Sequence, residues 1–99
     1  MLELSKIRAD LREIRYYYTR KKIFDETVKI VGASNVAEKA LKYNEVIKRA
    51  SPQMYDLYVG LYINGLTQEA FAESIGYASQ YVQYLHKQLL LFFQEHISG

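Results

Sequence analysis

The chain has 99 residues, 24% of them charged, a formal net charge of +2 and no cysteine. That length bounds it to one domain, residues 1–99, with a modest core, and the missing thiols exclude a disulfide framework and thiolate metal sites. No apolar run approaches the ~20 residues of a membrane helix, and no signal-like segment opens the chain. A cytoplasmic protein with no membrane partner is therefore expected.

The charge is unevenly placed. Residues 1–22 carry +4, residues 23–50 carry +1, and residues 51–99, where Lys87 is the single basic residue, carry −3. One proline and five glycines suit an all-α fold, and ten tyrosines are unusual for this length. The chain divides at about residue 50 into an N-terminal helical part, 1–50, and a C-terminal part, 51–99.

Leu4, Ile7, Leu11, Ile14 and Tyr18 are spaced 3, 4, 3, 4, a heptad seam over about two heptads. They predict a long first helix from about Leu2 to about Val31, with a break near Phe24-Asp25. The stripe packs either on the domain's own core or on a second copy. Basic residues, Arg12 and Arg15 among them, line the other faces. They form either a solvated surface or one that contacts phosphates. Tyr16-Tyr17-Tyr18 lies among these cations. Aromatics in such company can stack on unpaired bases, but consecutive helical positions diverge, which argues against a shared platform.

Gly32-Ala33-Ser34-Asn35 is a break, and Ser34 or Asn35 is expected to cap a second helix that runs to about Arg49 on Val36, Ala40, Tyr43 and Ile47. Ser51-Pro52 opens a third helix, with serine as N-cap and proline in the first turn. That helix carries Met54, Leu57, Tyr58, Leu61 and Tyr62 and stops at Asn64-Gly65. Apolar on nearly every face, it should lie centrally.

Thr67 can cap a fourth helix over 68–75, with Phe71, Ala72 and Ile75 as its inner face. Gly76 ends it and is expected at positive φ. A fifth helix starts near Ser79 and runs to about His96, with Val82, Leu85 and Leu89 facing inward. Small Ala72, Gly76 four later, Val82 six after that and Leu85 three further give the spacing of DNA-binding helix-turn-helix units. Leu89-Leu90-Leu91-Phe92-Phe93 covers more than half of the last helix. One stripe suffices for a surface helix, so part of this run must meet the first helix or another molecule.

With those residues in place, the stretch LYINGLTQEAFAESIGYASQYVQYLHKQLL resembles region 4 of bacterial sigma factors, and still more the small phage-encoded regulators built on that module. The phrases that carry the resemblance are Tyr62-Ile63-Asn64-Gly65, Thr67 to Glu69, Gly76-Tyr77, Val82 and Leu85-His86. The close match covers the C-terminal third. It implies an all-α domain of about five helices ending in a helix-turn-helix, and a sequence-specific DNA-binding regulator of transcription. Double-stranded DNA would be contacted by Thr67, Gln68, Ser79, Gln80, Gln83, Tyr84 and Lys87, with Arg12 and Arg15 on the backbone. Gln can bond adenine in a bidentate manner. Gln83 and Tyr84 stand where members of the family usually carry arginine. Sigma region 4 also contacts RNA polymerase, so a protein-interaction module is the alternative, and a small phage DNA-packaging subunit is a third. Excess apolar surface on a short chain adds the expectation of a homodimer or larger homo-oligomer.

His86 and His96 are ten apart on one helix and cannot share a metal. No Ser-His-Asp set, carboxylate pair or phosphate loop is visible. No enzyme activity, cofactor or metal is expected.

Overall fold

A computed structural model describes residues 2–24 and 33–97 and is all-helical over them. Helix α1 spans Leu4–Phe24, α2 Ala33–Ile47, α3 Pro52–Tyr58, α4 Gln68–Ile75 and α5 Ser79–His96. The α3 rod continues as a π-helical turn over Val59–Ile63, closed by a bond from the Asn64 N–H to the Val59 carbonyl at 2.9 Å. The expected break near Phe24-Asp25 and continuation to Val31 lie outside the described residues. Helix α2 already includes Ser34 and Asn35, so neither is its N-cap, and it ends two residues before Arg49.

The starts of α3 and α4 follow from local chemistry. Ser51 Oγ accepts the Met54 N–H at 3.3 Å with Pro52 in the first turn, and Thr67 Oγ1 accepts the Ala70 N–H at 3.0 Å. Each bond satisfies a donor that a helix start leaves open. Gly65 and Gly76 both sit at φ 75° and end the rods before them. After Gly76 the Tyr77 N–H reaches back to the Ala72 carbonyl at 2.9 Å, closing a Schellman-type stop. A Cβ built on Gly76 would meet nothing within 4 Å. The requirement for glycine there is therefore one of backbone conformation alone. Gly76→Val should destabilise the domain by about 1–2 kcal/mol, read as a lowered midpoint in thermal unfolding. An unchanged midpoint would mean that the turn does not need its left-handed residue.

The core is built from all five helices. Ile7, Leu11 and Ile14 from α1 meet Tyr43 and Ile47 from α2, Leu57 and Tyr58 from α3, and Val82, Leu89, Leu90 and Phe93 from α5. Phe71 and Ala72 are the share of α4. The heptad seam is thus spent on the chain's own interior. So is the Leu89–Phe93 run, of which only Leu91 remains exposed. Neither surface named for self-association is left open. The α3 rod is central as expected, packing on α1, α2, α4 and α5.

Tyrosines explain much of the interior. The Phe93 ring lies 4.8 Å from Tyr43 and 5.6 Å from Tyr58, centroid to centroid. Buried hydroxyls need partners, and these have them. Tyr43 donates to Asp10 Oδ2 at 2.8 Å, Tyr58 donates to Asn44 Oδ1 at 2.6 Å, and the Asn44 amide donates to Tyr18 at 3.0 Å. Burial, and for Tyr43 also the Asp10 carboxylate, pushes both phenols far above their ordinary range.

Gly60 marks the place where α4 approaches the rod. A Cβ there would meet Phe71 Cδ1 at 2.6 Å. The ring of a core residue thus lies where a side chain would stand, inside the π-helical turn. Gly60→Ala should cost about 1–3 kcal/mol by overpacking, measured by urea unfolding. A neutral result would show that Phe71 can move aside freely.

Candidate nucleic-acid interface

The turn at 76–78 and the first half of α5 form the most exposed surface of the C-terminal part. Every residue from Glu73 to Tyr81 is exposed, as are Gln83, Tyr84 and Lys87, while Val82 and Leu85 are buried. The expectation that Val82, Leu85 and Leu89 face inward holds. Ile75 departs from it. Expected on the inner face of α4, it is 41% exposed. The helix stops at that residue, so its last turn projects past the core that Phe71 and Ala72 reach.

At 3.6 residues per turn, α5 presents three strips. Gln80 and Lys87 point directly away from the core. Gln83 and His86 lie toward one flank, and Tyr81 and Tyr84 toward the other. The side chains of Gln80, Gln83 and Lys87 make no hydrogen bond or ion pair with the described residues. Ser79 stands at the first helical position, exposed, and the N-cap is Ala78, which has no side-chain cap bond.

The polar flank faces the rest of the molecule. His86 Nε2 is hydrogen-bonded to the Tyr62 hydroxyl and the two rings stack at 6.0 Å. Burial, with the Arg8 guanidinium nearby, holds the His86 pKa below 6.5, and burial pushes Tyr62 up to about 12 despite Arg15 and Arg8. At neutral pH the imidazole is therefore uncharged and Tyr62 keeps its proton, so the His86 tautomer sets which of the two donates. This fixes the phrase Leu85-His86 as a packing and hydrogen-bonding element of the site's floor.

Helix α1 packs against the π-helical turn and against α5. Arg8, Arg12 and Arg15 share one of its faces. Arg15 is half-buried and its Nη2 donates to the Gly65 carbonyl at 2.9 Å. Its guanidinium ties α1 to the loop that leads into α4. Arg12 is exposed. Thr67 is committed to capping α4, and Gln68 is half-buried in its first turn. Of the nine residues expected to touch DNA, then, Ser79, Gln80, Gln83, Tyr84, Lys87, Arg12 and Thr67 are exposed and Gln68 and Arg15 half-buried, with Thr67 engaged in capping α4 and Arg15 in holding the Gly65 carbonyl.

Sequence reasoning missed Arg8. Its signal was present, since it lies four residues before Arg12 and seven before Arg15. Of the aromatic flank it named Tyr84, but not Tyr77 and Tyr81 beside it. Tyr77, Tyr81 and Tyr84 are 38%, 41% and 59% exposed, with Tyr77 edge-on to Tyr81 at 5.0 Å and Tyr84 at 6.3 Å from Tyr81. There is no lysine or arginine between Arg49 and Lys87, and Asp56, Glu69 and Glu73 lie in that interval. The Tyr16-Tyr17-Tyr18 triplet makes no platform. Tyr16 is exposed under the Arg20 guanidinium at 5.3 Å, whereas Tyr18 turns inward to Asn44.

Among the described residues no group of three or more His, Cys, Asp or Glu is placed to hold a metal ion, and no helix is long and apolar enough to cross a membrane. Comparison with family models, with curated proteins and with solved structures found no match to this chain.

Proposed function

We propose that this chain is a sequence-specific DNA-binding regulator of transcription, of phage or mobile-element type, with α4, the turn and α5 acting as a helix-turn-helix like that of sigma region 4. The observation that supports it is the uncommitted polar strip of α5. Gln80, Gln83 and Lys87 stand outward on a rigid helix whose opposite face is locked into the core. A major groove admits one helix, and its base edges offer adenine N6 and N7 to a glutamine side chain.

Fluorescence anisotropy against duplexes tiled across the genomic DNA that flanks the coding sequence tests this. Expected is salt-sensitive binding with preference for one site, and Gln80→Ala or Gln83→Ala should weaken that site by about 1–3 kcal/mol while leaving random duplex unaffected. Absence of binding to every duplex at low salt rejects the reading.

The aromatic flank supports a second reading, a protein-interaction module that docks on RNA polymerase or another regulator. Three exposed tyrosines beside a single cation, Lys87, suit a protein partner better than phosphates. Tyr77→Ser with Tyr81→Ser should then abolish co-purification with polymerase without altering any DNA affinity.

A further inference from the structure

We infer that the exposed face of α1 that carries Arg8 and Arg12 is a cationic wall that seats the phosphate backbone of duplex DNA, with Arg15 as the residue that holds that wall in position. This rests on the DNA-binding reading of α5 and adds to it a second binding surface and its chemistry.

The cations of α1 are not equivalent. Lys6 is paired with Asp10 at 3.0 Å, Arg15 is spent on the Gly65 carbonyl, and Arg20 bonds the Tyr16 hydroxyl at 3.2 Å. Arg8 and Arg12 are exposed, and their side chains form neither a hydrogen bond nor an ion pair with the described residues. They lie one turn apart on the same face. Like charges at that spacing repel, and in an isolated helix they weaken it by a few tenths of a kcal/mol. An uncompensated pair of this kind gains from an external anion.

Its position points to which anion. The Arg15 bond fixes the C-terminal half of this face against the loop before α4, where Thr19 Oγ1 would lie 3.6 Å from a Cβ on Gly65. The N-terminal half runs beside α5. Arg8 is close enough to Tyr62 and His86 for its charge to act on both, and Gln83 stands one turn before His86 on that same flank. Helix α5 supplies no guanidinium of its own, since Lys87 is the one lysine or arginine after Arg49. Arg8 places a positive charge beside the polar flank of α5, and Arg12 follows it one turn on along the same face of α1. A strand whose bases meet Gln80 and Gln83 would carry its phosphates across this wall. Arginine is suited to that task because its planar fork binds phosphate oxygens in pairs.

The test uses the full chain and two duplexes, the preferred site and a scrambled one, over a salt series. Removing one cation from a phosphate should lower the slope of log affinity against log salt by about 1. Arg8→Ala and Arg12→Ala should each lower it by that amount on both duplexes, and Arg8→Lys should restore most of it. Arg15→Ala should lower the melting temperature and, because the wall it holds is released, also lower the slope of the folded protein on both duplexes, by less than Arg8→Ala does. Wild-type binding with slopes unaltered in Arg8→Ala and Arg12→Ala, at unchanged circular dichroism, overturns the inference and leaves the reading of α5 standing. Failure of the wild type to bind any duplex overturns both.

Discussion

Phe93→Ala is expected to be the most damaging single truncation in the chain. The ring is fully buried and packs against Tyr43 and Tyr58. It joins α2, α3 and α5, so its removal opens a cavity that no one helix can close by shifting. Such truncations cost about 3–5 kcal/mol, a large share of the ~5–15 kcal/mol that holds a domain together. Urea unfolding should show the effect directly, with Leu91→Ala, on the exposed strip of the same run, within about 0.5 kcal/mol of wild type. The two residues also separate a core from an interface. If the Leu89–Phe93 run served self-association, unfolding midpoints would rise with protein concentration and Leu91 would matter. The expected midpoints are independent of concentration for wild type and variants alike. A mild Phe93→Ala would show that α5 is not seated where its rings meet the two tyrosines.

What the sequence made legible is local. Ser51-Pro52 and Thr67 announce helix starts because a side chain three residues from its partner N–H is a short-range device. Gly65 and Gly76 announce stops because the left-handed region admits few other residues. The inward side of α5 follows from period alone. What escaped depends on partners distant in sequence. The π-helical turn at Val59–Ile63 sits where Phe71 presses on Gly60, an approach made only when α4 folds back. Arg15 reads as a free cation until Gly65, fifty residues later, arrives beneath it. The Leu89–Phe93 run looked excessive for one stripe, because the sequence does not say that α1, α2 and α3 surround that end of α5. The outward positions of the candidate site were legible in the same way as the inward ones. The division of α5 into a polar flank beside Arg8 and an aromatic flank was not, since it is set by where α1 lies.

Asp10 supplies the second large effect, and its pH dependence can be worked out in advance. The carboxylate is 4% exposed and accepts from the Tyr43 hydroxyl, while Lys6 and Lys39 hold Oδ1 at 3.0 and 3.1 Å, and Lys39 also bonds Glu13. Burial alone would favour the protonated acid, but the Tyr43 hydroxyl and the two lysines outweigh it and keep the carboxyl below its ordinary 3.8. Asp10→Ala strands the Tyr43 hydroxyl in the core without an acceptor and removes the anion between two ammonium groups. Stranding a buried donor costs about 1–3 kcal/mol, and breaking a buried pair about 3–5. Because Lys6 is solvated and Lys39 retains Glu13, about 3 kcal/mol is expected. Asp10→Asn keeps an acceptor for Tyr43 and should lose about half as much. A group whose folded pKa is depressed contributes stability that is present above its unfolded value and lost as pH falls through the folded one. For Asp10 that decline begins near 3.8, and for His86, depressed by burial and Arg8, it begins near 6.5. Wild type should therefore weaken in two steps on acidification. Asp10→Asn should lack the lower step and keep the upper, and His86→Gln should do the reverse. Urea titrations on either side of each value read the steps separately. A lower step that survives in Asp10→Asn would assign it to another carboxylate and remove Asp10 from the centre of the α1–α2 junction.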